Sequence, residues 1–195
     1  MSLRKFVTSN IAAAVSIHVA LTTISIAVGI YAGKLDDDDP TMQENQVLAK
    51  NFEPLTNLVT NMYTGKGVED IAGARLGKNC TFEDPAAICS GSREVIEAFR
   101  ALRVAEPEAL SQPRVIDVDP NKEFIQVKYF LSQKYMDRLQ VKSLLVVDAE
   151  LSGDELVIKK IEEQWNGVKP LGFFYYPSRR LNGIQSFNMT KLFVK

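Results

Sequence analysis

Histidine is almost missing from this chain: the one copy, His18, lies in an uncharged N-terminal run, so nothing after that run has any. A Ser/His or Cys/His nucleophile pair and histidine-ligated zinc are therefore excluded from the remainder. Two cysteines, Cys80 and Cys89, are too few for a disulfide scaffold or a four-cysteine metal site. No cluster of His, Cys and carboxylates has ligand spacing, so neither metal nor cofactor is expected. Acids are missing from both ends, since all 24 fall between Asp36 and Glu163. Eight of the 23 Lys and Arg lie in those ends, so the middle carries 15 cations against 24 acids, net −9. A body that acidic does not attract nucleic acid.

What is present begins with a long apolar run. From Phe6 to Gly33 there is no charged side chain, and Ile11 to Ala32 is 22 residues, about 33 Å as a helix. That length spans a bilayer and exceeds the apolar centre of a cleaved signal peptide, so an uncleaved single-pass anchor over residues 11–33 is expected. A soluble core helix would alternate with charged positions, and this one does not. Ala14, His18, Thr22, Ser25 and Gly29 recur at spacings of four and three, a small and polar stripe suited to packing on another helix. His18 reads as a neutral imidazole bonded to Thr22 or to a partner helix rather than as a proton relay.

Arg4 and Lys5 before the run favour a cytoplasmic N-terminus and a domain in the secretory lumen or outside the cell. There Asn79 and Asn188 stand in glycan-acceptor triplets. Mitochondrial or plastid import is the alternative address, because the start is basic and free of acids.

The chain divides into a short basic segment (1–10), the anchor (11–33), an acidic linker (34–43), one domain (44–166) and a basic aromatic tail (167–195). Thr41 and Glu44 have capping-box spacing, predicting a helix start, and Leu48, Phe52, Leu55, Val59 and Met62 form its apolar stripe, with Pro54 kinking or splitting it. A short helix over residues 67–76 follows. Residues 80–89 read as two strands turning at Asp84-Pro85, which places Cys80 opposite Cys89; a cross-strand disulfide is conceivable there, with two buried thiols as the default. Ser92 is expected to cap a helix with Val95, Phe99 and Leu102 facing the core. Beyond Val115 the period changes to that of strands, with Phe124–Gln133, Leu139–Leu151 and Glu155–Trp165 long and alternating. Helices first and a meander last mean an α+β fold.

Phe82-x-Asp84-Pro85, the Ser90-Gly91 step into the helix holding Phe99, and a last strand ending Glu163-Gln164-Trp165 resemble the NTF2-like superfamily and its SnoaL-like branch. The resemblance covers residues 44–166. It implies a curved antiparallel sheet wrapped on about three helices as a cone, open as a pocket in some members and as a partner surface in others. Fold does not carry function with it. Enzymatic relatives such as ketosteroid isomerase and scytalone dehydratase use aspartate, tyrosine or histidine inside the cone, and here only Asp84 falls on a motif position.

Asp84 reads either as a pocket carboxylate able to take a proton or as a turn residue bonding backbone donors, the turn being preferred. Phe82, Tyr129 and Trp165 are the other pocket candidates, with core packing as the plainer reading of the aromatics. In the tail, Phe173, Phe174, Tyr175, Tyr176, Arg179 and Arg180 combine rings and cations without acids, which suits a lipid interface or docking on the domain. The expected partners are the lipid bilayer and a lipid-like small molecule or a membrane protein. Three functions compete: a tethered binding domain, a lyase or isomerase working through Asp84, and an accessory subunit of a membrane complex.

Overall fold

A computed structural model describes residues 3–36, 38–64, 75–120 and 123–193, with side chains between residues 11 and 186. The expected helix over 67–76 lies outside the described residues except at its end, where Leu76 already begins a strand.

Helix α1 (Leu3–Tyr31) runs unbroken, as an uncharged, proline-free stretch should. Its segment Ile11–Tyr31 is long and apolar enough to cross a membrane. The capping box at Thr41 and Glu44 does not form. Pro40 opens a 3-10 turn (Pro40–Met42) in which the Asp39 carboxylate accepts the Thr41 N–H at 2.8 Å. The cap moves on to Asn45, whose Oδ1 accepts the Leu48 N–H at the start of α2 (Gln46–Asn51). Pro54 then splits the predicted helix: α3 (Glu53–Thr64) takes the proline into its first turn, where a missing N–H costs nothing. Leu55, Val59 and Met62 are buried, with Leu48 and Phe52 packed against them.

Strands β1 (Leu76–Glu83) and β2 (Ile88–Ser90) form the expected hairpin in a different register. Phe82 faces Cys89 and Glu83 faces Ile88, because the turn holds four residues, 84–87. Cys80 therefore lies two positions out of register with Cys89, and both are free, buried thiols. Helix α4 (Ser92–Leu102) follows, capped not by the Ser92 side chain but through Gly91 at φ 86°, with the Glu94 carboxylate accepting the Ser90 N–H. Short β3 (Glu108–Ala109) and β4 (Arg114–Asp119) lead into β5 (Ile125–Tyr135), β6 (Leu139–Ser152) and β7 (Glu155–Trp165). Helix α5 (Tyr176–Phe193) ends the described chain.

The strands make one seven-stranded sheet in the order β2-β1-β7-β6-β5-β3, with β4 also on β5. It is mixed rather than antiparallel throughout, because β1 runs parallel to β7 and pairs Phe82 with Ile161. Helices on one side and a mixed sheet on the other are an α+β fold. One face of the sheet supplies Val127, Tyr129, Leu131, Leu145, Val147, Ile158 and Ile161 to the core, against Leu55, Val59 and Met62 of α3 and Val95 and Phe99 of α4. On the other face Phe130 is covered by the Arg114 guanidinium, 4.5 Å from its ring centre.

Candidate functional site

Two helices from opposite ends of the chain meet on the turn at residues 84–87. The stripe on α1 makes the first contact. Ser25 donates to the Pro85 carbonyl at 2.6 Å, and Gly29 lies so close that a Cβ there would stand 2.8 Å from Pro85 and 3.3 Å from Trp165. Ser178 of α5 bonds the stripe from the other side, with its Oγ 2.7 Å from Thr22 Oγ1 and 2.9 Å from His18 Nδ1. The small and polar stripe thus packs on this chain's own C-terminal helix and turn, while Ile17, Ile24 and Tyr31 stay exposed on the outer face.

Helix α5 holds the same turn through charge. Arg179 is only 1% exposed; its Nε donates to the Asp84 carbonyl at 2.9 Å, Nη1 to the Leu171 carbonyl, and Nη2 to Glu83 Oε1 at 2.6 Å. Arg180 forms a two-pronged pair with Glu94, and Asn182 donates to the Ala86 carbonyl. Of the two readings of these arginines, docking on the domain is what the structure shows: they fasten the tail, because the acid-free tail meets acids of the body within bonding distance. Phe173 and Phe174 remain 86% and 82% exposed, edge to face with each other, and Tyr176 is also exposed.

Beneath these helices lies a cavity of about 490 Å³, within the size range of small-molecule sites. Its wall is almost entirely apolar and aromatic, with Tyr63, Phe82, Phe99, Leu102, Tyr135 and Trp165 prominent. Ile26 of α1 and Ser186 of α5 contribute, so the terminal helices complete the wall. The exposed lining residues Met136, Arg138 and Leu139, from the β5–β6 tip, mark where it opens.

Asp84 and Glu163 also line this space. Asp84 does both things its sequence allowed. Its Oδ1 accepts the backbone N–H groups of Ala86 and Ala87, making the turn, and its carboxyl faces the cavity. Burial pushes its pKa up to about 6 against the pull of those two N–H groups and of Arg179. Glu163 accepts from Tyr63 Oη at 2.9 Å and Ser143 Oγ at 2.6 Å. Burial first, then the charge on Asp84, pushes it up to about 7. A chain of bonds stiffens this wall: Tyr135 Oη donates to Gln133 Oε1, and Gln133 Nε2 donates to the Tyr63 carbonyl. The charge on Asp84 opposes ionisation of Glu163, so the two do not titrate independently.

Of the four predicted pocket residues, Phe82, Asp84 and Trp165 line the cavity. Tyr129 does not; it is fully buried in the core between sheet and helices. Core packing, the plainer reading of the aromatics, holds for it, on a sheet face shared by core and cavity. Glu163 was missed. Its signal was the alternation Ile161, Glu163, Trp165, which sets a glutamate at an inward position of β7. Among the described residues no three His, Cys, Asp or Glu side chains stand close enough to hold a metal ion.

No family model, curated protein or solved structure matches this chain. Its class rests on its own architecture: an α+β domain with an apolar cavity, two carboxyls on the cavity wall, and a membrane-length helix packed beside them.

Proposed function

We propose that this chain is a membrane-seated binding domain whose cavity takes an apolar small molecule delivered from the bilayer. One observation carries the reading: the apolar cavity lies directly under the only described helix that is long and apolar enough for a membrane, and Ile26 of that helix lines it. A wall so short of polar groups rewards apolar area above all, at about 25 cal/mol per Å² removed from water.

Helix α1 meets the domain from His18 onward, which leaves Leu3 to Ile17, about 22 Å of helix, ahead of that contact. A bilayer core is about 30 Å thick. The helix is therefore seated with its outer face in lipid and the domain alongside, rather than crossing well clear of it. Exposed Phe173 and Phe174 lie on the segment leading into α5 and extend the same contact. The stripe that would serve an accessory subunit of a membrane complex is taken up by Ser178, Pro85 and Trp165. The NTF2-like cone belongs to this proposal too, supported by the order of helices, hairpin and long strands. Native mass spectrometry of protein released from its own membrane tests the reading. A retained lipid-like mass is expected; a chain that always emerges empty would sink it.

A second reading is favoured by the carboxyl pair. Two carboxyls on one cavity wall, both with pKa values raised by burial, are the equipment of a proton-shifting lyase or isomerase. In that reading Asp84 takes the proton and Glu163, held by Tyr63 and Ser143, donates. Asp84→Asn and Glu163→Gln variants that bind the native ligand and return it chemically unchanged, as the wild type also does, would remove it.

A further inference from the structure

The proposal of a binding cavity leaves open what distinguishes its ligand from any other apolar molecule, and the mouth supplies an answer. Arg138 lines the opening and is solvent-exposed. The other cations around the site are committed: Arg179 to Glu83, Arg180 to Glu94, Arg100 to Glu97. The acid next to Arg138 in sequence, Asp137, is engaged by Lys134 at 3.1 Å, and Lys134 also binds Glu108. Arg138 has no ion-pair partner among the described residues.

The backbone at this tip is held in an uncommon shape. Met136 and Asp137 both have positive φ, 50° and 57°, a region that non-glycine residues seldom enter. The tip is tied down as well, since the Met136 N–H bonds the Ala105 carbonyl at 2.9 Å and the Arg138 N–H bonds Tyr135. The result is a fixed mouth with two exposed apolar side chains, Met136 and Leu139, flanking one guanidinium. Inside, aromatic and aliphatic walls lead to the acid pair.

Resting on the binding reading above, we infer that the ligand is a single-chain amphiphile with an anionic head, the head held by Arg138 at the mouth and the apolar body enclosed by Phe82, Phe99, Leu102 and Trp165. A guanidinium offers a planar fork of donors that matches a carboxylate or a phosphate monoester. At the mouth the head stays partly hydrated, so no charge has to be buried. A neutral apolar molecule would fill the walls equally well but leave the guanidinium unused. The carboxyl pair lies on the same wall as the enclosed body, and a hydroxyl or carbonyl on that body is the group it would bond.

Trp165 is the only tryptophan in the chain and lines the cavity, so its emission reports occupancy from within the site. The test uses the full chain in nanodiscs of neutral phosphatidylcholine, with parinaric acid as probe, a polyene fatty acid that accepts energy from tryptophan, and its alcohol as uncharged control. The acid should bind about tenfold more tightly than the alcohol, the usual scale of one charge-assisted contact. Arg138→Gln should erase that preference, and Arg138→Lys should keep part of it. Ala98→Phe, filling the cavity, should abolish transfer to both probes; Ala105→Phe at the half-buried rim serves if that variant fails to fold.

Acid and alcohol binding equally, both blocked by Ala98→Phe, would overturn the anionic head and leave the cavity reading standing. A preference surviving Arg138→Gln would do the same. No transfer to either probe, or transfer indifferent to Ala98→Phe and Ala105→Phe, would overturn the cavity reading and the inference with it. Displacement of the probe by a fatty acid but not by a lysophosphatidate assigns the head to a free carboxylate, and the reverse assigns it to a lipid phosphate; displacement by neither removes the inference.

Discussion

The helices at the two ends of the chain grip the same four-residue turn, and they do so by opposite means. Helix α5 uses charge: Arg179, buried to 1% exposure, bonds the Asp84 carbonyl and Glu83, and Arg180 pairs with Glu94. Helix α1 uses closeness: Ser25 and Gly29 let its backbone approach Pro85 and Trp165, while its outer face keeps Ile17, Ile24 and Tyr31 exposed. The first grip makes α5 part of the domain. The second is thin and one-sided, which leaves a whole apolar face for another solvent.

The sharpest way to break the comparison is at the α5 grip. Gly183 lies so tightly over β2 that a Cβ would fall 1.9 Å from the Ile88 carbonyl oxygen. Gly183→Ala should therefore cost about 3 kcal/mol by overpacking, read as a lowered urea midpoint. Arg179→Ala should cost about 2–3 kcal/mol, below a fully buried pair because Glu83 keeps about a third of its side chain in solvent. At the other end, Gly29→Leu should push α1 off Pro85 and Trp165. Little change in domain stability is expected, with a shift in Trp165 emission and new protease sensitivity near residues 33–45; unchanged emission would contradict the docked helix.

The acid pair makes a smaller, pH-dependent contribution. Asp84 and Glu163 have folded-state pKa values raised from ordinary 3.8 and 4.5 to about 6 and about 7, so between those limits the folded protein binds more protons than the unfolded chain. The pair's contribution should be full below about pH 4 and be lost as pH rises toward 7. Asp84→Asn with Glu163→Gln should flatten that slope in urea titrations at several pH values. The smallest effect concerns the thiols. Burial pushes Cys80 and Cys89 up to about 12, so both should resist a thiol reagent at neutral pH until the protein is unfolded. Fast labelling of the native protein would show the hairpin to be looser than described.

Periodicity made most of the fold readable. The long strands, the Pro54 break and the α4 core face follow from local pattern and appear where expected. The small-polar stripe on α1 was visible as a packing surface, but its partner was not, because the chain closes that contact across more than 150 residues. The parallel pairing of β1 with β7 is hidden for the same reason. The sequence left the tail arginines between lipid and the domain, because it shows the absence of nearby acids and not the Glu83 and Glu94 that folding brings to them. Asp84 was found through its turn and Glu163 was missed, since an inward glutamate in a strand looks like any other until the cavity beside it exists.

The central claim is that the cavity wall lies against lipid, and Trp165 tests it from within. With the full chain in vesicles carrying lipids brominated on the acyl chain, Trp165 emission should be quenched strongly, because the indole packs beside Gly29 of the membrane-length helix α1. Gly29→Leu should weaken that quenching. Emission quenched by aqueous iodide and untouched by the brominated chains would place the domain in water, away from the bilayer, and contradict the account.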